Sequence, residues 1–306
     1  MPELPEVQTT VNGINKYAKG LRIADVWTDY GSLQYEGKNH IKNKLFFTKF
    51  KKEVIGAKIV KADRRAKNVL IELSNSKTIL IHMKMTGHVM YGKYQKTKRD
   101  KDPWEPVIKS GPLRDPFNKY IRFVLSFSNG KHLVLSDMRR FAKVTLIPTK
   151  ELFQSDDLST IGPEPLESKF TTKILAERLN RKPKWKIKTV LMDQTVVAGI
   201  GNIYSDEILW ASNIHPLSTT SHLKQKNVGL IWKNIKTILR KGIDFGGDSM
   251  SDYRNLEGKP GKFQLHHNAY RRTGKPCPKR GCKGVIHRLK IGGRSAHFCP
   301  VHQKIV

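Results

Sequence analysis

The sequence predicts an α+β protein of more than one domain: an antiparallel β-sandwich or barrel led by one helix, then an all-helical region, then a small β-hairpin tail. Three observations carry this expectation. Between residues 21 and 147, seven apolar or alternating runs of strand length follow one another, joined by turn residues. From about Glu167 such runs give way to apolar residues at helical spacing, and all three cysteines lie within the last 30 of the 306 residues.

The leading helix is signalled by Pro5 and Glu6, since proline pre-sets φ for a first turn and a carboxylate suits the positive end of the helix dipole. Val7, Val11, Ile14 and Ala18 then recur on one face, and Gly20 supplies the left-handed residue that commonly closes a helix. The strand runs are 21–27, 59–62, 69–73, 78–83, 121–127, 133–135 and 143–147. Asn75-Ser76 and Asn129-Gly130 lie between adjacent runs, and the second pair is a strong hairpin signal because both residues tolerate positive φ. Between Met90 and Asn118 the pattern dissolves into Lys, Arg, Asp, Pro and Gly around a single Trp104, which reads as a long surface loop with a function or mobility of its own. Helices are expected over 171–179, 187–197, 202–211 and 223–243. The expected division is 1–150 for the sandwich, 151–247 for the helical domain, 248–270 for a polar, Gly-rich connector and 271–306 for the tail.

Charge narrows the partners. Fifty-seven Lys and Arg against 26 Asp and Glu give a formal net charge of +31, spread along the whole chain, and such a surface suits phosphate backbones. Anionic membrane is the competing partner, but there is no membrane span and no evident basic amphipathic anchor. The start has no basic stretch followed by an apolar one, so an intracellular location is expected.

Several residues can carry chemistry. Cys277-x4-Cys282-x16-Cys299-x2-His302 places two ligand pairs on either side of a stretch long enough for a hairpin, the form of a tetrahedral zinc site. Four protein ligands leave no open position, so one structural Zn2+ per chain is expected; three buried thiols beside an exposed histidine is the alternative. Met1-Pro2-Glu3-Leu4-Pro5-Glu6 would, once Met1 is removed, expose a secondary amine at Pro2. Added to a sugar aldehyde carbon, such an amine gives a charged iminium that acidifies the neighbouring C–H and invites elimination of phosphate. Glu3 and Glu6 are the nearest carboxylates, although an ordinary helix start explains the same residues. Arg294, after Gly292-Gly293, would sit at the tip of a tight turn and grip a phosphate, or simply be solvated. Gly199-Ile200-Gly201-Asn202 opens a helix whose free N–H groups suit a phosphate, or serves helix packing. Lys67 precedes a buried strand; Met85, Arg139 and Phe141 stand at strand ends, where together they would form a wedge able to enter a base stack.

Across nearly its whole length the chain resembles the bacterial formamidopyrimidine-DNA glycosylases. PELPEV, RRAK, IHMKMTG, DMRRFA, IGPEPL, LMDQTVVAGIGNIYSDEILW, GKPGKFQ and GGRSAHFCP follow one another as that family's motifs do. The resemblance implies an N-terminal β-sandwich, a helix-two-turn-helix domain around GIGN and a zinc finger that clamps damaged double-stranded DNA, in a monomeric enzyme of the bacterial cytoplasm or nucleoid. It implies base flipping, attack of the Pro2 amine on the sugar, release of an oxidised purine such as 8-oxoguanine, and β,δ-elimination through a Schiff base. Glu3 would open the sugar ring, with Glu6 in the same pocket. Lys67 would serve base or phosphate contact and proton transfer, and Arg294 would hold the phosphate flanking the lesion. Met85, Arg139 and Phe141 would fill the void left by the extruded base. Lys188 and Asn202 match phosphate-binding positions, and 246–253 matches a loop that closes over the flipped base.

Departures from the family pattern are His302 in place of a fourth cysteine, a first knuckle two residues longer, Tyr120 near an expected histidine, the long 90–118 segment, and Ser251 where a basic residue is often found. The sister group resembling endonuclease VIII, directed at oxidised pyrimidines, is the nearest alternative; Leu4 and the Met85, Arg139, Phe141 set favour the purine enzyme. A DNA-binding protein without catalysis is the alternative of another class, and the presence of Pro2, Glu3, Lys67 and Arg294 argues against it.

Overall fold

Glu3 and Glu6 start the first helix, α1 (Leu4–Tyr17), through a reciprocal capping box with Pro5 in the first turn, and the helix buries Val7, Val11 and Ile14. This is seen in a computed structural model that describes residues 1–99 and 102–306. The chain forms two units, Met1–Ser159 with Phe245–Lys262 and Thr160–Asp244 with Phe263–Val306.

In the first unit α1 is followed by β1 (Ile23–Thr28), α2 (Lys44–Val54), β2 (Ile59–Arg65), β3 (Asn68–Leu73), β4 (Lys77–His82), β5 (His88–Gly92), β6 (Tyr94–Lys96), β7 (Trp104–Pro106), β8 (Ile121–Phe127), β9 (His132–Ser136) and β10 (Lys143–Pro148). Two four-stranded antiparallel sheets result, in the orders β1-β8-β9-β5 and β10-β4-β3-β2. The two hairpin signals are both used: Ser76 (φ 61°) turns β3 into β4 and Gly130 (φ 73°) turns β8 into β9. Alternation along the strands sorts the faces. Val69 and Ile71 of one sheet and Phe123, Leu125 and Leu135 of the other join Val7, Val11 and Ile14 in a single buried core, each large side chain contributing about 1.5–3 kcal/mol of burial.

Three features depart from the sequence expectation. Helix α2, capped by the Asn43 side chain accepting from Leu45 N–H, buries Phe50 and Val54 and was not foreseen; neither was strand β5. The polar stretch 90–118 is also more than a loop among its described residues. β6 and β7 pair there, and two 3-10 turns follow. Its Trp104 ring lies 5.9 Å from that of Trp27, beside a second apolar cluster made of Met90, Tyr94, Val124 and Val134. Val124 and Val134 are the outward residues of β8 and β9, so the segment covers the outer face of a sheet that would otherwise expose them. Asp100 and Lys101, at its centre, lie outside the described residues.

The second unit contains α3 (Thr172–Asn180), α4 (Ile187–Met192), α5 (Asn202–Ala211), α6 (Gln225–Asp244) and the hairpin β11 (His287–Ile291) with β12 (Arg294–Phe298). Leu175, Leu179, Ile208, Leu209, Ile231, Ile235 and Leu239 are buried at helical spacing. α4 stops at Met192, five residues short of the expected end, because Asp193 turns the chain. Its Oδ1 accepts from Thr195 N–H and Oγ1–H. No described helix is long and apolar enough to cross a membrane.

Candidate active site

The chain start is buried apart from Met1. Pro2, Glu3 and Glu6 have almost no exposed surface, while Met1 is 40% exposed. With Met1 attached, the Pro2 nitrogen is a tertiary amide without a nucleophilic lone pair; removal of Met1 frees an amine already lodged at the N-terminus of α1. Glu6 fixes this corner. Its Oε2 accepts from Glu3 N–H at 2.7 Å, and its Oε1 accepts from Asp248 N–H at 2.7 Å. The Tyr253 hydroxyl adds a bond to the Glu6 carbonyl at 3.0 Å, and burial followed by the Glu6 charge raises the phenol pKa. Gly247 (φ 87°) lies so close that a Cβ there would come within 2.9 Å of the Glu6 side chain, so only glycine allows this approach. The loop that follows is closed at its base by Lys262 N–H donating to Phe245 O at 2.8 Å.

Lys67 lies in the two-residue turn between β2 and β3, beside Ala66 (φ 51°), and is 6% exposed. Its charge is felt by His82: burial first, then the ammonium groups of Lys84 and Lys67, lower the imidazole pKa to about 3.

Met85, Arg139 and Phe141 occupy two neighbouring turns joined by a carboxylate. Asp137, fully buried, accepts from Thr86 Oγ1–H at 2.5 Å through Oδ1, and from Tyr30 O–H at 2.7 Å and Ala142 N–H at 2.8 Å through Oδ2. Thr86 Oγ1 in turn accepts from Arg139 N–H at 3.1 Å. Above this network the Arg139 guanidinium stacks 4.5 Å over the half-exposed Phe141 ring. Sequence reading singled out the exposed tips and missed the hub. An acid at the end of an apolar strand, directly before the basic turn, was the available signal.

In the second unit Lys188 and Asn202 are brought together at the start of α5. Lys188 has no exposed surface, and its Nζ donates to Asn202 O (2.9 Å), Ser205 Oγ (2.8 Å) and Asp206 Oδ1 (2.7 Å). Three partners take its three donors, so the ammonium fixes the helix start from inside rather than offering a hydrogen bond outward. Gln194, not foreseen, clamps the preceding turn by accepting from Gly199 N–H (2.8 Å) and donating to Ile200 O (2.8 Å). Asn202 Oδ1 is buried and has no hydrogen-bond partner among the described residues. Arg294 is exposed and is the first residue of β12, with the tip itself formed by Gly292 (φ 54°) and Gly293 (φ 76°).

Two further buried acids hold the tail. Asp206 Oδ2 accepts from His297 N–H at 3.0 Å and lies 2.8 Å from its Nδ1. Glu207 accepts from Asn268 N–H, Asn268 Nδ2–H, Ala269 N–H and Tyr270 N–H at 2.8–3.1 Å. Cys277, Cys282, Cys299 and His302 converge, with ligand atoms all within 4.8 Å of one another, an arrangement able to hold a metal ion. His302 Nδ1 stands 3.4 Å from Cys277 Sγ and 3.9 Å from Cys282 Sγ, while Nε2 reaches the Trp210 carbonyl at 3.2 Å. A proton on Nε2, donated to that carbonyl, leaves the Nδ1 lone pair facing the thiols. Gly284 N–H, 3.4 Å from Cys282 Sγ, is the chief cause of that thiol's lowered pKa.

A β-sandwich led by a helix with proline in its first turn, a buried carboxylate pair at the chain start, and a Cys3His cluster clipping a basic hairpin in a helical unit are features shared with a class of nucleic-acid enzyme. Residues 1–144 match the formamidopyrimidine-DNA glycosylase N-terminal domain and residues 161–254 the formamidopyrimidine-DNA glycosylase H2TH domain. The chain is 33% identical over 305 residues to the formamidopyrimidine-DNA glycosylase of Pelotomaculum thermopropionicum, covering 100% of both chains. It is 34% identical over 303 residues to that of Herpetosiphon aurantiacus, covering 99% of this chain and 100% of the other. The solved complex of Lactococcus lactis Fpg with DNA containing an abasic site superposes with a TM-score of 0.81 at 32% identity, covering 99% of each chain. A mutant of that enzyme bound to DNA containing Fapy-dG gives a TM-score of 0.82. The chain belongs to the formamidopyrimidine-DNA glycosylase family.

Proposed function

We propose that this chain is a DNA glycosylase of oxidised-purine repair that also cleaves the strand as a lyase, with Pro2 as its nucleophile. The observation that carries the reading is that Pro2, Glu3 and Glu6 are all buried at the N-terminus of α1, behind an exposed Met1. The free amine adds to C1′ of the extruded nucleotide, the glycosidic bond breaks, and the base leaves with its electron pair and takes up the proton that the amine loses. Opening of the sugar ring, with Glu3 protonating O4′, gives an iminium between Pro2 and C1′. Loss of the C2′ proton expels the 3′ phosphate and loss of the C4′ proton the 5′ phosphate; hydrolysis then frees the amine. Glu6 lines the same pocket and holds the capping loop through Asp248, and Lys67 supplies base or phosphate contact and proton transfer.

Damaged duplex DNA is the partner. Met85, Arg139 and Phe141 fill the space of the extruded base, with Asp137 holding their two turns in register. Arg294 and Asn202 take backbone phosphate, and Lys188 acts through the start of α5 that carries Asn202. The metal is Zn2+, for which three thiolates and one imidazole are a suitable closed set. Its work is structural, fixing the hairpin that carries Arg294. A Cβ at Gly284 would come within 2.5 Å of Cys299 Sγ, so the knuckle is built tightly around these ligands. The bacterial relatives support action in the cytoplasm or nucleoid.

Borohydride trapping tests the reading on a duplex with one 8-oxoguanine opposite cytosine, with an oxidised-pyrimidine duplex alongside. Covalent capture is expected with the wild-type chain and is lost in Pro2→Ala. Equal capture by Pro2→Ala would remove Pro2 from the mechanism, and faster capture on the pyrimidine duplex would reassign the substrate.

A further inference from the structure

We propose that Asp115 and Arg254 form a latch through which the turns at 112–119 set the geometry of the capping loop, making Arg254 a positioning residue for lesion capture. The inference rests on reading residues 246–253 as the loop that closes over the extruded base. That loop has anchors of two kinds: bonds to Glu6, from Asp248 N–H and from the Tyr253 hydroxyl, and a tie at its end through Arg254. At its start, Asp248 N–H binds Glu6, which belongs to the reaction centre. At its end, Arg254, 7% exposed, binds a segment that the reaction does not use.

The guanidinium works in both directions. Its Nε donates to Asp115 Oδ2 at 3.0 Å, and its plane stacks 4.7 Å from the Phe117 ring. Its Nη1 donates back into the loop, to Ser251 O and Tyr253 O at 2.9 Å each. One planar group thus shapes the loop's C-terminal arm and ties it down, which a lysine's point charge would not do. Asp115 is itself held, since its Oδ1 accepts from Phe117 N–H at 2.9 Å. A second tie runs parallel: Asn118 Nδ2 donates to Gly258 O at 3.2 Å, while Asn118 Oδ1 lies 2.9 Å from Nε2 of the buried His88 in β5. A Cβ at Gly258 would meet Pro112 O at 2.8 Å, so the two segments are in close backbone approach. Between these holds Ser249 Oγ accepts from Gly261 N–H at 2.8 Å and donates to Tyr253 O at 2.7 Å, so the position of the C-terminal arm depends on Arg254 and on a carboxylate that the proposed chemistry does not use.

The experiment compares single-turnover excision of 8-oxoguanine with cleavage at a pre-formed abasic site, which has no base to cap, for Arg254→Met, Asp115→Asn and the double variant. Excision is expected to slow by roughly threefold to thirtyfold, the range for coupled neighbours, with abasic cleavage unchanged. The double variant should be no slower than either single, and hydrogen exchange of the 249–253 amides should quicken. An excision-to-cleavage ratio within about twofold of wild type, or additive losses in the double variant, would overturn the latch. Replacing residues 249–252 by two glycines separates the two readings. If that change slows excision where the latch variants do not, the capping reading stands without the latch; if neither change slows it, both readings fall.

Discussion

The sandwich and the tail of the second unit hold their candidate site residues by opposite means. In the sandwich, Met85, Arg139 and Phe141 stand on turns backed by a large apolar core, and the Asp137 network only trims their register. In the tail, the metal-binding cysteines are part of the apolar cluster itself, with Cys277 and Cys299 beside Ala269 and Ile286, and Trp210 and Cys282 packed against them. Arg294 there depends on the Cys3His cluster and on two buried carboxylates. A core of area-driven contacts tolerates local loss, because each contact carries a modest share. A tail whose cysteine ligands belong to its own apolar cluster is all-or-none in those ligands and in its charged hydrogen bonds.

Metal removal should expose this difference most strongly. A chelator, or Cys282→Ser, is expected to unfold residues 271–306 and lower affinity for duplex DNA by about a hundredfold or more, while the sandwich stays folded. Hydrogen exchange resolved along the chain reads both at once, and simultaneous loss of protection in β3 and β8 would abolish the contrast. Cleavage from a Schiff base formed before chelation should change far less than binding.

Glu207→Gln is the next largest effect. The carboxylate accepts four N–H bonds; the amide keeps the shape but loses charge and turns one acceptor into a donor facing donors. About 2 kcal/mol or more should be lost from the second unit. Chemical denaturation followed through DNA binding checks this, and a loss below about 0.5 kcal/mol would mean that the metal cluster alone organises the tail.

What the sequence made legible follows the same division. Strand runs, both hairpin turns, the leading helix, the four later helices (one of them five residues shorter than expected) and the cysteine spacing were visible because each is a local pattern. The 90–118 stretch was misread as loop throughout because part of its purpose is non-local: Trp104 lies against the outer face of the sheet containing β8 and β9, and nothing near Trp104 in sequence says so. Helix α2 has a cap and apolar spacing, but Leu45 in its first turn stands exposed, off the face that buries Phe50 and Val54, and blurs the amphipathic signal. Among candidate site residues the exposed tips were readable from motif and chemistry. Asp137, Asp206, Glu207, Gln194 and Arg254 were not, because what distinguishes them is burial against particular backbone groups, which only the fold supplies.

The smallest effect concerns a polar weak point in the sandwich itself. His40, 4% exposed, accepts from Lys42 N–H through Nδ1 at 3.0 Å. Burial, followed by the charges of Lys42 and Lys143, lowers its pKa from 6.5 to about 3. The folded state therefore binds fewer protons than the unfolded state between pH 6.5 and 3. The neutral imidazole's contribution is complete above the unfolded value and is lost progressively as pH falls through this window. At pH 5 the loss should be about 2 kcal/mol, confined to the first unit. His40→Asn retains an acceptor for Lys42 N–H without a titrating group, so its stability curve should be flatter than wild type between pH 7 and 5. Identical curves for the two proteins would place the acid sensitivity of the sandwich elsewhere, leaving its apolar core as the sole source of the robustness that the tail lacks.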